Sequence, residues 1–565
     1  MITLSHRRLV FACCLSTLLG FTHGAMAEEA EVAVEAEVAV EAKVVVKAEV
    51  AEEVEATKEV EAPTQPIATT ALGKYRGQTL DDVHRFLGIR YAQSPAGANR
   101  WQPPIPIERH PEVMDADKLG PACLQARAKR QTSEDCLSLN VWTPEIEGAK
   151  RPVMVWIHGG SFRSGSNDVA GEVFASSAHA TNPAVLVAIN YRLGPLGFFS
   201  HSAIKSKTAN FALLDMILAL EWINTHISDF GGDPENITIF GVSAGGMAVN
   251  MLMTSALSKG LFHKAIAQSG YGTWPLPSTR YSKRPAALDL DGAELPRAEK
   301  LGKALVKSLT RARQTKETLL GLAGQELMNA QQGFQVPYVD GRSLKAEPGI
   351  RFIQNKQHKV PFITGGTSNE GSVMNSSGYS ADDFSRGFGV DKKRLRKLYQ
   401  RDFFRDDNAG WARVFGDNRY LLAAQVQGEA MALSQENTWL YYVDFVPDQF
   451  KNKWLGTPHG MDAWLIFNGH SNKDLAVQRL SNTIRNYWLN LAHYGNPNGN
   501  PNGNPNDTKS RAAAELVHWP NYSNKQPQWL IFSDTLSVRP NVIDDKLRLL
   551  KDRYMLRIAP ALNRG

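Results

Sequence analysis

Cysteine is nearly absent from this chain, with four residues in 565. Two of them, Cys123 and Cys136, have no neighbouring pair of Cys or His ligands, so a structural metal site is not supported. No metal and no organic cofactor is expected. Long hydrophobic runs are also missing. The first apolar stretch, Leu9 to Phe21, falls short of the roughly 20 residues a membrane span needs, and no later segment is a candidate. Charge of one sign is modest, at a net +6, and no basic run is interleaved with aromatics. Nucleic acid is therefore not an expected partner.

What is present at the start reads as an export signal. His6-Arg7-Arg8 gives a positive head and Leu9 to Phe21 a short apolar core. Ala25-Met26-Ala27 follows as a small-x-small cleavage pattern. Cys13 and Cys14 raise a lipoprotein alternative, weakened by the few apolar residues before them. The expectation is a leader over 1–27 and a periplasmic or extracellular mature protein. Outside the cytosol, Cys123 and Cys136 invite one local disulfide, the alternative being two buried free thiols.

Residues 28–66 form a Glu/Ala/Val tract with near-copies such as Glu35-Ala36-Glu37-Val38-Ala39-Val40. It has no aromatic residue and reads as a linker. Its part from Glu28 to Ala62 holds twelve Glu and three Lys. Allowing also for Arg7 and Arg8, the rest of the chain carries +13. Such a body could steer anionic substrates or rest on an acidic surface, the plainer alternative being an unevenly charged solvated face.

The remainder, 67–565, reads as one large α/β domain. Val153 to Ile157, Ala184 to Ile189 and Ile237 to Phe240 are apolar on both faces, as buried strands of a mostly parallel sheet are. Phe211 to Ile223 has helical spacing between two of them. That alternation predicts a central sheet flanked by helices. Asn496 to Asn506 repeats Asn-Pro-Asn-Gly and reads as a surface loop.

Chemistry enters with Gly241-Val242-Ser243-Ala244-Gly245, which follows a strand-like run and leads into the helical pattern Met247 to Met253. A sharp strand-to-helix turn exposes the central serine, and small flanking residues let the two backbones pass. Ser243 is thus the candidate nucleophile. His158-Gly159-Gly160-Ser161-Phe162 also ends a strand, and its glycines suit backbone N–H donors aimed at an oxyanion. The expected donors are the N–H groups of Gly160, Ser161 and Ala244. For the acid, Glu370 in Ser368-Asn369-Glu370-Gly371 leads over Asp340, whose Val339-Asp340-Gly341 setting reads as a turn. For the base, four histidines follow Glu370, namely His459, His470, His493 and His518, and His459 in Gly456-Thr457-Pro458-His459-Gly460 leads. His493 at a helix end and His518 before Trp519-Pro520 read as surface or packing residues. The order Ser, acid, His is that of the α/β-hydrolase triad.

Longer stretches carry a resemblance. Phe86 to Ala92, Arg100-Trp101-Gln102-Pro103-Pro104, Glu134 to Asn140, Asn190 to Gly194, Phe230 to Gly245 and Gln268-Ser269-Gly270 resemble, in order, segments of the type-B carboxylesterases, the cholinesterase-like α/β-hydrolases. The similarity runs from about Gly73 to Phe532. It implies the α/β-hydrolase fold, a Ser243–Glu370–His459 triad, an oxyanion hole at Gly160, Ser161 and Ala244, and a Cys123–Cys136 disulfide. Three departures stand out. Val242 occupies a position where many relatives carry glutamate, Ser161 one usually Gly or Ala, and the segment between Cys123 and Cys136 is short and lacks Trp. Cholinesterase activity is accordingly not expected. The single disulfide suits a bacterial member.

The function expected is hydrolysis of a small-molecule carboxylic ester through an acyl-enzyme. The alternatives are a catalytically silent adhesion protein, as some members of that family are, and an amidase or peptidase of the same fold. Trp274 is a candidate lining residue of the acyl pocket, or a core aromatic. From the charge alone, esters of acidic or polycarboxylic acids are the favoured substrates. The sequence does not indicate an oligomeric state.

Overall fold

The computed structural model describes residues 65–562, apart from 127, 129, 285–286, 332, 501–515 and 541–542. The predicted leader and nearly all of the acidic tract lie outside the described residues, as does most of the Asn-Pro-Asn-Gly loop. Eleven strands of the described residues form one sheet. In chain order they are β1 (Gln78–Leu80), β2 (Val83–Arg90), β3 (Ser138–Thr143), β4 (Arg151–Ile157), β5 (Val185–Ile189) and β6 (Gly232–Val242). Then come β7 (Lys264–Gln268), β8 (Phe362–Thr367), β9 (Thr438–Val443), β10 (Gln528–Phe532) and β11 (Ser537–Pro540).

Across the sheet the order is β11-β10-β9-β8-β7-β6-β4-β5-β3-β2-β1. The seven strands from β5 to β10 are mutually parallel, and antiparallel strands finish both sides. The apolar runs are buried on both faces because alternate residues feed two separate cores. Val153, Val155, Ile157, Val185, Val187 and Ile189 enter one. Met154, Trp156, Leu186, Ala188, Phe240 and Val242 enter the other. Burial of each such side chain contributes about 1.5–3 kcal/mol, so neither face can be stripped of its helices.

Helices α1 (Phe211–His226) and α2 (Ala244–Thr254) contribute to the first core. Helix α3 (Leu475–Tyr494) covers the second. Its ends follow from composition. The Asp474 side chain accepts from Ala476 N–H at 2.8 Å, and Gly495 closes it at φ 67°. No helix among the described residues is long and apolar enough to cross a membrane.

The chain leaves β4 for β5 on one side, then returns through α1 to β6 on the other. The carboxyl ends of β4 and β6 therefore flank the point where the winding reverses. In open α/β sheets that crevice is where ligands bind.

Candidate active site

Ser243 stands alone between β6 and α2, at φ 58° and ψ −117°. A non-glycine residue in this region costs on the order of 1–3 kcal/mol, which the surroundings must offset. Two hydrogen bonds pin it: its N–H donates to Gln268 O at 2.9 Å, and its carbonyl accepts from Met247 N–H at 2.8 Å. The flanking glycines are needed because β4 ends directly beneath them. A Cβ on Gly241 would lie 2.4 Å from Ile157 O, and one on Gly245 only 2.0 Å from the same oxygen. The small residues around the serine thus make room for a neighbouring strand, as the motif implied.

The His158–Phe162 loop leaves the end of β4 against the elbow. A Cβ on Gly159 would come within 2.7 Å of Val242 O and 3.4 Å of Ser243 Cβ. Gly160, Ser161 and Phe162 follow at φ 108°, 59° and 55°, three successive left-handed residues that coil the loop tightly. The N–H groups of Gly160, Ser161 and Ala244 make no hydrogen bond among the described residues. Gly160 and Ser161 line an open cleft of about 580 Å³, together with Arg163, Met328 and Ser376.

A buried scaffold holds the loop. Tyr191 Oη donates to His158 O at 2.6 Å, and the two rings stack with centroids 4.3 Å apart. Burial lowers the His158 pKa to about 4, so the imidazole is neutral, and its Nδ1 lies 2.8 Å from Gly159 O. Cys123 and Cys136 are joined as a disulfide. Gln125, in the segment so closed, brackets Gly165 by bonds to its N–H (3.1 Å) and its carbonyl (3.0 Å). Arg192 is anchored in turn by the buried Asp215, with Nη2 to Oδ1 at 2.6 Å. These contacts give the Asn190-Tyr191-Arg192 segment its place under the loop.

Glu370 follows β8 and is fully buried. Its Oε1 accepts from Ser269 Oγ at 2.6 Å and from Thr367 N–H at 2.7 Å, and its Oε2 bonds His459 Nδ1. The two loops are clipped side by side. Asn369 N–H donates to Thr457 O (2.8 Å), Thr457 N–H to Ser368 Oγ (2.8 Å) and His459 N–H to Ser372 Oγ (3.0 Å). His459 Nε2 is buried and has no hydrogen-bond partner among the described residues. With Nδ1 tied to a carboxylate, Nε2 is the nitrogen free to exchange a proton.

The other sequence candidates lie elsewhere. Asp340 accepts from Thr208 Oγ1 (2.8 Å), Ser343 Oγ (2.6 Å) and the Arg342 and Leu344 N–H groups, a turn anchor as its setting suggested. His493 Nε2 meets Asn182 O, and His518 is exposed. Trp274 is buried, edge-on to Tyr379 and Phe415, with the Arg419 guanidinium over its ring.

Sequence reasoning gave no role to three residues here. Ser269 holds Glu370; the Gln268-Ser269-Gly270 segment was visible, but not which side chain turned inward. Tyr420 lies against the His459 ring, centroids 4.5 Å apart, and Arg419 precedes it. No local motif marks either one. Among the described residues no group of three or more His, Cys, Asp or Glu could hold a metal ion.

Known proteins share this arrangement of elements. Residues 64–549 match the carboxylesterase family. The para-nitrobenzyl esterase of Bacillus subtilis (strain 168) is 30% identical over 510 residues, covering 86% of this chain and 99% of that one. The fumonisin B1 esterase of Sphingopyxis macrogoltabida is 29% identical over 482 residues, covering 79% and 82%. A solved PNB esterase superposes with a TM-score of 0.72 at 28% identity, over 86% of this chain and all of that one. A match over most of the chain, on an α/β-hydrolase fold with the elbow at the sheet's reversal point, supports one conclusion: this chain belongs to the carboxylesterase family and is a carboxylic ester hydrolase.

Proposed function

We propose that the chain cleaves its ester through an acyl-enzyme on Ser243, with His459 as general base and acid and Glu370 as its orienting carboxylate. His459 Nε2 takes the proton of Ser243 Oγ as that oxygen bonds to the ester carbonyl carbon. The negative charge that develops on the carbonyl oxygen is met by the N–H groups of Gly160, Ser161 and Ala244. Collapse breaks the carbon–oxygen bond to the alcohol, which leaves with the proton from His459. Water then repeats the sequence in reverse, releasing the acid and restoring Ser243. Each oxyanion donor contributes about 2.7–4 kcal/mol in hydrolases of this kind.

The observations supporting this reading are the buried Glu370–His459 pair, whose Nε2 has no hydrogen-bond partner among the described residues, and the positive-φ turn at Ser243. A catalytically silent binding protein would have no use for such a pair, and an amidase would use the same steps. In this proposal residues 1–27 are a leader, 28–66 an acidic linker and 67–565 the catalytic domain. The Cys123–Cys136 disulfide supports export to the periplasm or beyond. A small neutral or anionic ester is the substrate, the basic body favouring the anionic one.

The test is hydrolysis of short-chain p-nitrophenyl esters by the purified protein beside Ser243→Ala, with labelling by a fluorophosphonate. Turnover and labelling in the parent, both lost in the variant, are expected. Undiminished turnover by Ser243→Ala would refute the assignment, and a folded parent that neither turns over nor labels would favour the silent alternative.

A further inference from the structure

Arg419 is wholly buried, yet its Nε, Nη1 and Nη2 make no hydrogen bond among the described residues. Among the described residues no carboxylate pairs with it. The other buried arginines are unlike it. Arg192 is paired with Asp215, Arg557 with Glu347 and Arg100 with Glu134, and Arg485 donates to Ile466 O. A buried charge is normally paired, because taking it out of water unpaired is expensive. Aromatic faces offset part of that cost: the guanidinium carbon lies 4.1 Å from the Trp274 ring centroid and 4.3 Å from those of Tyr271 and Phe334. Ring faces do not, however, satisfy the five N–H donors of an arginine.

Two further orphans adjoin it. The hydroxyls of Tyr271 and Tyr420 are buried without hydrogen-bond partners. Both feel the Arg419 charge, yet burial raises their pKa, Tyr271 to about 12, so both keep their protons as donors. The result is a cationic group beside two neutral phenols, whose oxygens can accept from the guanidinium but carry no charge to balance it. Glu370 does not supply one, since its oxygens are taken by Ser269, Thr367 and His459. Asp417, on the same turn, accepts from Tyr399.

Location gives the cluster meaning. Tyr420 packs on His459, and Tyr271 follows the Ser269 segment that holds Glu370. Phe334 precedes Gln335, whose N–H donates to Ser161 O in the oxyanion loop at 3.3 Å. Trp274, the sequence candidate for the acyl pocket, is one wall. The segment Asp417–Leu421 is a π-helical turn, a departure from α-helix that recurs at functional sites.

We infer that Arg419, with the hydroxyls of Tyr271 and Tyr420, is a receptor for a carboxylate in the acyl part of the ester, which makes half-esters of dicarboxylic acids the preferred substrates. This rests on the proposed ester hydrolysis at Ser243 and names the substrate class of that site. The fork of the guanidinium matches a carboxylate in a bidentate pair, and the two phenols supply further donors. A neutral acyl chain would leave the guanidinium charge unbalanced.

The experiment compares monomethyl glutarate with methyl glutaramate, its neutral isostere, by pH-stat titration on the full chain, on Arg419→Met and on Arg419→Lys. The readout is the ratio of the two kcat/KM values. It is expected to favour the carboxylate by about 10- to 100-fold in the parent, to fall to near unity in Arg419→Met and to be partly kept in Arg419→Lys. Free glutarate should raise the melting temperature of the parent and not that of Arg419→Met. Without ligand, Arg419→Met should melt no lower than the parent, since it removes an unpaired buried charge.

A ratio near unity in the parent, or one unchanged by Arg419→Met, overturns the inference and leaves ester hydrolysis standing. A preference instead for 4-acetoxybutanoate over 4-acetoxybutanamide, with the carboxylate in the alcohol part, overturns the acyl assignment. If no ester is turned over, the proposed function fails on its own. Glutarate-dependent melting, present in the parent and lost in Arg419→Met, then decides whether the receptor exists.

Discussion

Gly245→Ala tests whether packing beneath the elbow sets the catalytic geometry. A Cβ there would lie 2.0 Å from Ile157 O, 2.9 Å from Ile157 C and 3.0 Å from His158 O. All three are backbone atoms, so no flexible side chain can give way. Restoring ordinary contact means parting the end of β4 from the start of α2 by roughly 1.4 Å. Ala244 N–H moves with α2, while Gly160 and Ser161 stay with β4, so the candidate oxyanion donors separate from one another. Misplacement by about 1 Å can cost 100-fold in rate, so kcat/KM should fall at least that far. Gly260→Ala is the control. Gly260 also has a positive φ, 81°, but its Cβ would meet nothing within 4 Å, so the cost is backbone strain of about 1–2 kcal/mol without loss of rate. Steady-state kinetics on p-nitrophenyl butyrate and thermal melts of both variants make the comparison. If Gly245→Ala kept kcat/KM within threefold of the parent, the close approach of β4 would not control the site.

Glu370→Gln keeps the shape of the buried acid but loses the charge facing His459. kcat should drop on the order of 1,000- to 10,000-fold, measured on the same ester, with the melting temperature showing that the fold survives. Ser269→Ala removes a hydroxyl that donates to Glu370 Oε1 at 2.6 Å; stability should fall by about 1.5–3 kcal/mol in urea titration. For His158 the folded pKa is lowered from 6.5 to about 4, so the unfolded chain binds the proton first as pH falls. Its contribution is complete above pH 6.5 and is lost down to about pH 4, on the order of 3 kcal/mol. His158→Asn should therefore flatten the pH dependence of the melting temperature in that window.

Much of the fold was legible because its signals are local. Strands apolar on both faces can only lie inside a two-sided sheet, and β4, β5 and β6 contain the runs headed by Val153, Ala184 and Ile237, but for Ala184 itself, which lies one residue ahead of β5. Gly241 and Gly245 around a serine announce a close approach, which proved to be to Ile157 O. Glu370 and His459 were candidates by chain order and by the loops that carry them.

What the sequence by itself determined was therefore the class of fold, the elbow and the candidate chemistry. The strands and the elbow depend on residues within a few positions of one another, where periodicity and backbone sterics act directly, while the acid and base followed from their loops and chain order. Only the tertiary structure decided the surroundings. Ser269 reaches Glu370 across 101 positions, and Tyr191 reaches His158 across 33, because neighbouring parallel strands end at one level. Arg419 is one of many arginines in the sequence. What sets it apart is a buried charge with no carboxylate partner among the described residues, inside a cage of Tyr271, Trp274 and Phe334, a property of the packed interior that no local pattern encodes.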